Sequence, residues 1–276
     1  MATLHFTKMN GAGNDFVMID NRSGALALDT ATIARLCDRH RGIGADGLLA
    51  VEPAAAGAEA DCRMRYYNAD GGEAEMCGNG ARCFARFVNR LNGFSLPSVR
   101  FETLAGVIGA EFQGDEVRLR MSDPHSLALG ENLPVQGRPL TVHSLNTGVP
   151  HAVVFVEELE TVDVRGDGAA LRHHQRFAPK GTNANFVRVD APGEITIRTY
   201  ERGVEDETLA CGTGTVACAL IHHLLHGAPS PVKVRVRGGD TLTIGFVQAA
   251  DGSFHDVTLT GPGDFVFDGT IELPGR

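Results

Sequence analysis

The chain has 276 residues, 43% hydrophobic and 21% charged, which marks a folded globular protein long enough for one large domain or two ordinary ones. A net charge of -9 disfavours nucleic acid as a partner, and no stretch approaches the ~18 apolar residues of a membrane-crossing helix. The first residues carry no apolar run followed by small residues, so the reading is cytoplasmic, and the six cysteines are expected as thiols, with no C-x-x-C pair for a structural zinc.

Residues 4–9 and 16–20 read as strands around a loop over 10–15. Asp29 or Thr30 caps a helix expected to run to about Arg39. Residues 48–52 and 61–68 read as strands. A helix follows Cys77, with Ala81, Phe84, Ala85, Phe87, Val88 and Leu91 on one face. Strands are expected at 99–103, 107–112 and 116–121. The second half repeats this order: strands at 151–156, 185–190 and 194–200, a helix after Cys211, then strands at 232–237, 241–247 and 254–260. Helices set between runs of short consecutive strands point to an α+β fold with mostly antiparallel sheets.

Sliding the chain on itself by 134 residues tests the repeat. Tyr66 then meets Tyr200, Glu73 meets Glu207, Cys77 meets Cys211, Gly78 meets Gly212, Gly80 meets Gly214 and Ala85 meets Ala219, with no gap. We read two pseudo-symmetric domains, 1–121 and 122–264, each a mostly antiparallel sheet curled around a central helix. Their boundary falls near 121–132, the tail 265–276 returns to the first domain, and the active site is expected in the cleft between them.

Each repeat places Cys-Gly-x-Gly directly before a helix. The glycines let a ligand approach the backbone, and the first N–H groups of a helix have no internal acceptor and carry the positive end of its dipole. Such a start binds a carboxylate and lowers a cysteine's pKa from its usual ~8.5. Two thiols in duplicated settings suit the inversion of a stereocentre: one takes a proton from one face and the other delivers one to the opposite face. The N–H groups stabilise the enediolate between these steps, so no cofactor is needed.

Three other signals are set aside. Gly212-x-Gly214-x-x-Ala217 fits a dinucleotide fingerprint, but the acidic stretch 201–208 separates it from its strand. His222, His223 and His226 have helical metal-ligand spacing, but the zincin base is absent, so they are expected on the surface at a helix C-terminus. Lys8, Lys180 and Lys233 are the lysines present, and none has the setting of a Schiff-base lysine.

The stretches Lys8-Met9-Asn10-Gly11-Ala12-Gly13-Asn14-Asp15-Phe16, Gly42-Ile43-Gly44-Ala45-Asp46-Gly47, Asn68-Ala69-Asp70-Gly71, Cys77-Gly78-Asn79-Gly80-Ala81-Arg82-Cys83, Tyr200-Glu201-Arg202-Gly203 and Ala210-Cys211-Gly212-Thr213-Gly214 closely resemble the bacterial diaminopimelate epimerase family, nearly end to end. The resemblance implies interconversion of LL- and meso-diaminopimelate in lysine and peptidoglycan-precursor synthesis, by a homodimer. It implies Cys77 and Cys211 as the acid–base pair. Backbone N–H groups of Gly78–Asn79 and Gly212–Thr213 would hold the reacting carboxylate. Asn14, Asn68, Asn183 and Arg202 would hold the distal amino-acid group, and His151 and Glu201 would orient the thiols and the α-ammonium. Two departures stand out. Val149 replaces an asparagine that many members carry, with Asn146 as its candidate substitute, and Gly47 stands where some have glutamine. The nearest alternative is a two-cysteine racemase of another amino acid, such as proline.

Overall fold

The computed structural model describes residues 2–273 and divides into two compact units, Met1–Leu119 with Gly261–Arg276, and Arg120–Thr260. In the first unit β1 (Ala2–Gly11) and β2 (Asn14–Asp20) form a hairpin turned at Ala12 and Gly13, both at positive φ. The strands run on into the expected loop and shorten it. Helix α1 (Thr30–Cys37) starts at Asp29, whose carboxylate accepts from the Thr32 N–H at 2.8 Å. β3 (Gly47–Glu52) is parallel to β2, and β4 (Cys62–Asn68) is antiparallel to β3. Helix α2 (Gly78–Leu91) follows Cys77. β5 (Ser98–Thr103) is parallel to β4, while β6 (Gly106–Gln113) and β7 (Glu116–Arg120) continue antiparallel.

The sheet curls around α2, which packs on β1, β2, β3, β5 and β6. Helix α1 covers the opposite face, where Ile33 and Leu36 meet Leu4, Val17, Ile19, Leu48 and Ala50. Leu49 points the other way, toward Gly80 of α2. A strand covered on both faces is apolar at consecutive positions, which is why β3 reads as a run rather than an alternation.

The second unit opens with a hairpin, β8 (His125–Val135) and β9 (Arg138–Asn146), where the sequence suggested a boundary. Seven of the eleven β8 residues are exposed, in the pattern eeeieeieBeB, so it lacks the apolar alternation that marks a strand. β10 (Pro150–Phe155) pairs antiparallel with β9. Helix α3 (Val164–Arg172), which the sequence reading missed, starts at Asp163, whose carboxylate accepts from the Gly166 N–H at 2.9 Å. β11 (Asn183–Ala191) is parallel to β10, and β12 (Glu194–Glu201) is antiparallel to β11. The short β13 (Asp206–Thr208) pairs with β12 within the acidic stretch. Helix α4 (Gly212–His226) follows Cys211, with β14 (Val232–Arg235) parallel to β12 and then β15 (Thr241–Gln248) and β16 (Phe254–Pro262) antiparallel. The sheet curls around α4, which packs on β9, β10, β11, β12, β14 and β15, while α3 covers the far side.

The last strand, β17 (Asp264–Leu273), pairs antiparallel with β1 of the first unit; residues 274–276 of the expected returning tail lie outside the described residues. With β17 in place the units have one plan. The order β17-β1-β2-β3-β4-β5-β6-β7 and the order β8-β9-β10-β11-β12-β14-β15-β16 show the same succession: antiparallel twice, parallel, antiparallel, parallel, antiparallel twice. This is a two-domain α+β protein built by repetition.

The repeat is not gapless, however. Tyr200 packs in the outer core beside α3 and pairs with Glu207, while in the first unit Tyr67 packs on the outer core and bridges to Glu73. Tyr66 faces inward, 6.2 Å from the ring of Phe16. The counterpart of Tyr200 is therefore Tyr67, and one residue has been gained between strand and cysteine. Among the described residues, no helix is long and apolar enough to cross a membrane.

Candidate active site

Cys77 and Cys211 occupy equivalent positions, each the N-cap of its unit's central helix in extended conformation (φ -135°, ψ 121° and φ -125°, ψ 106°). Neither side chain caps its helix, whereas α1 and α3 are capped by aspartate, a bond worth ~1 kcal/mol. The first intrahelical bonds run from Ala81 N–H to Cys77 O at 2.7 Å and from Thr215 N–H to Cys211 O at 2.9 Å. The N–H groups of Gly78 and Asn79, and of Gly212 and Thr213, precede those bonds and lie at the positive ends of the helices. Both central helices thus give up an ordinary cap and offer donors to an anion.

In the first unit Asn79 is buried, and its Nδ2 donates to Asn14 Oδ1 at 2.7 Å. Asn14 Nδ2 donates in turn to Asp46 at 2.9 Å. The fully buried Arg82 donates to Asn79 Oδ1 at 3.1 Å, to Gly78 O at 3.3 Å and to Pro262 O at 2.9 Å. Behind Asn14, Arg39 bonds Asp15 at 2.7 Å and Asp46 at 2.8 Å, and Lys8 pairs with Asp15 at 2.7 Å. Burial opposes ionisation of Asp15, but its Arg39 and Lys8 partners outweigh it and hold the carboxyl well below the usual range. Asn14, Asn79, Arg82 and the Gly78 carbonyl are thus one connected group, in the turn of helix that Cys77 caps. Asn68 shares none of these bonds; it ends β4, exposed, and its N–H donates to Gly72 O at 2.9 Å.

In the second unit His151 is fully buried on β10, and burial drives its pKa down to about 3, so its ring is neutral. Its Nε2 lies 3.0 Å from Thr213 Oγ1, which is 3.7 Å from Cys211 Sγ. Glu201 ends β12, and burial raises its carboxyl pKa. Asn183 is buried with its amide engaged by backbone: Oδ1 accepts from Arg202 N–H at 2.8 Å and Nδ2 donates to Pro150 O at 3.2 Å. It shapes the bend that presents Arg202, whose guanidinium reaches Lys180 O at 3.4 Å. Asn146 Oδ1 accepts from Gly148 N–H at 3.0 Å and holds the turn that carries Val149. A Cβ at Gly47 would stand 2.6 Å from Tyr67 O, so the backbones of β3 and β4 leave no room there for a glutamine.

One expectation is overturned. His222 is buried, 1% exposed, because α4 is enclosed along most of its length and this position faces inward. Both its ring nitrogens are buried without a hydrogen-bond partner, and its ring stacks over Phe155 and lies tilted beside His226. His226 alone of the three is exposed. Sequence reasoning also missed Lys8, Arg39, Asp46, Arg82, Asn185 and Thr199. Asn185 had one signal: Asn183-Ala184-Asn185 puts two amides on the same face of a strand. A surface cavity of about 490 Å³ on the second unit is lined by Arg138, Val154, Asp163, Asp167 and Phe186 among others, and by neither cysteine.

The family model for diaminopimelate epimerase matches residues 6–127 and 143–254. A diaminopimelate epimerase of Chlorobaculum tepidum is 43% identical over 268 residues, covering 96% of this chain and 100% of the relative. That of Aquifex aeolicus is 43% identical over 279 residues, covering 97% and 98%. Among solved structures, a phenazine biosynthesis protein of the PhzF family from Bacillus anthracis gives a TM-score of 0.76 at 15% identity, covering 99% of this chain and 100% of that one. A hydroxyproline epimerase from Agrobacterium vitis gives 0.69 at 18% identity, covering 98% and 92%. The solved structures at these identities share the fold, while the sequence relatives match along nearly the whole length, and on that ground the chain belongs to the diaminopimelate epimerase family.

Proposed function

We propose that this amino-acid epimerase interconverts LL- and meso-diaminopimelate, with Cys77 and Cys211 as its two acid–base groups. The observation that carries the reading is the pair of equivalent helix starts, each with a cysteine in the cap position and N–H donors beside it. The α-carboxylate takes those donors. One thiolate removes the α-proton and becomes a thiol. The electron pair is held as an enediolate by the N–H groups and helix ends, and the opposite thiol returns a proton to the other face and becomes a thiolate. The roles exchange in the reverse direction, so no cofactor enters the balance.

Asn14, Asn68, Asn183 and Arg202 serve the distal amino-acid group, with the Arg202 fork on its carboxylate. His151 and Glu201 set the thiol and α-ammonium. The family relationship supports a place in lysine and peptidoglycan-precursor synthesis, and we read the protein as a cytoplasmic homodimer.

The test is proton NMR of LL-diaminopimelate with the protein in deuterated water. Meso product and deuterium at one α-carbon are expected, and Cys77→Ala and Cys211→Ala should each abolish both in a folded protein. Exchange into proline but not diaminopimelate would replace this reading with a racemase of another substrate. Full turnover by either cysteine variant would refute the two-thiol mechanism.

A further inference from the structure

The two halves follow one plan, yet the inner faces behind their cysteines differ. Beneath α2, the positions facing Gly80 are Phe16 and Leu49, with Tyr66 beside Phe16. The pairings that equate β2, β3 and β4 with β10, β11 and β12 make their counterparts His151, Asn185 and Thr199. Here Asn185 Oδ1 faces Gly214 as Leu49 faces Gly80. Hydrocarbon and aromatic packing in the first unit is replaced by a buried polar string in the second.

That string has a direction. Asn185 Nδ2 donates to Ala152 O at 2.9 Å, which fixes the amide, and its Oδ1 accepts from Thr199 Oγ1 at 2.9 Å. The same Nδ2 lies 3.3 Å from His151 Nδ1. An amide N–H₂ can only donate, so Nδ1 must accept and the ring proton of neutral His151 sits on Nε2. Nε2–H then donates to Thr213 Oγ1 at 3.0 Å, and the Thr213 hydroxyl is left to point its own proton at Cys211 Sγ, 3.7 Å away. Thr213 is held by a further bond, from Thr147 Oγ1 to its carbonyl at 2.9 Å.

We infer that Asn185 is a positioning residue that locks His151 as its Nε2–H tautomer, so that the string Thr199–Asn185–His151–Thr213 delivers a hydrogen bond to the sulfur of Cys211 and makes that thiolate easier to form than a cysteine of the same helix position would otherwise allow. Bonds to an ionised acceptor are about twice as strong as neutral ones, and chained donors polarise one another. Buried His151 stays neutral across the working range, so it adds direction without adding charge. Ionisable groups coupled to this arrangement include Cys218, which feels Cys211 from further along α4 and is held as a thiol by burial, and Arg202, which acts on His151. The inference deepens the two-thiol reading above, but its test does not depend on turnover.

The first measurement is nitrogen-15 NMR of the histidine-labelled wild-type protein between pH 6 and 8. His151 should show a protonated Nε2 and an unprotonated Nδ1; the opposite tautomer would overturn the inference. The second is the rate of iodoacetamide alkylation of Cys211 at pH 7, resolved by peptide mapping, with Cys77 in the same molecule as control. Asn185→Asp puts an acceptor against Nδ1 and reverses the string, and Thr213→Val removes its last link. Each should slow Cys211 about tenfold and leave Cys77 within about twofold, the size of one charge-assisted bond, while Thr213→Ser should restore the Cys211 rate. An unchanged Cys211 rate in the folded variants, or equal slowing at both cysteines, would overturn the inference. If a variant fails to fold, the wild-type tautomer still decides. Absence of diaminopimelate turnover would remove the proposed function and leave both readouts standing.

Discussion

At the scale of single residues, a cysteine in the N-cap position is a poor structural choice. Cys77 and Cys211 forgo a cap bond that Asp29 and Asp163 supply to the other two α-helices of the described residues. Serine in the same place accepts from the helix N–H groups and gains ~1 kcal/mol. Cys77→Ser should therefore raise the calorimetric midpoint by a few degrees while epimerisation disappears, because a serine hydroxyl is far too weak an acid for the task. A fall in the midpoint would mean that the sulfur itself stabilises the fold. His222 is the opposite case, a buried imidazole whose nitrogens have no partner. His222→Leu keeps roughly its volume, ends the desolvation cost and should stabilise the protein by ~1–2 kcal/mol in urea titration.

At the scale of elements, the central helices carry glycine inside their first turn for unequal reasons. A Cβ at Gly80 would sit 3.2 Å from a Leu49 methyl and 3.3 Å from the Phe16 ring, contacts that a shift of a few tenths of an ångström relieves. One at Gly214 would sit 2.5 Å from Asn185 Oδ1, which is tied at both ends. Alanine favours a helix by up to ~1 kcal/mol over glycine. Gly80→Ala should come out near neutral. Gly214→Ala should cost at least ~1–2 kcal/mol in urea titration and disturb the Cys211 site, because the clash exceeds the propensity gain. Equal effects at the two positions would show that the string behind Cys211 is softer than its bonds indicate.

For the whole molecule, burial lowers the pKa of His143, His151 and His222, with His226 a lesser cause at the first and, with His223, at the last. The sign follows from proton counts. Unfolded, these imidazoles take up protons as pH falls through ~6.5, while folded they stay neutral further down, so the unfolded state binds more protons and stability drops on acidification. Each histidine contributes up to ~1.4 kcal/mol per pH unit between ~6.5 and its own folded pKa. Urea midpoints should therefore fall steadily from pH 7 to 5, with a shallower slope in His222→Leu. A flat profile over that range would mean that the rings are hydrated in the folded state.

Much of the architecture was legible because it is written locally. Caps, apolar spacing and Cys-Gly-x-Gly mark the starts of α1, α2 and α4 within a few residues, and the duplicated motif pointed to two units and two thiols. What escaped lacked a local signature. β8 is mostly exposed, and α3 has two glycines in nine residues. The one-residue offset at Tyr67 shows only in which face of the strand is buried. By itself the sequence determined the repeat and the helix starts behind Cys77 and Cys211, since these depend on neighbours along the chain. Only the tertiary structure decided what stands behind each cysteine. His151, Asn185 and Thr199 lie on three strands and meet because β11 runs parallel to β10 and antiparallel to β12 in one register. Likewise the burial of His222 follows from a sheet wrapped around α4. Contacts between residues distant along the chain depend on strand order and register, and those are settled by which faces the whole fold can bury.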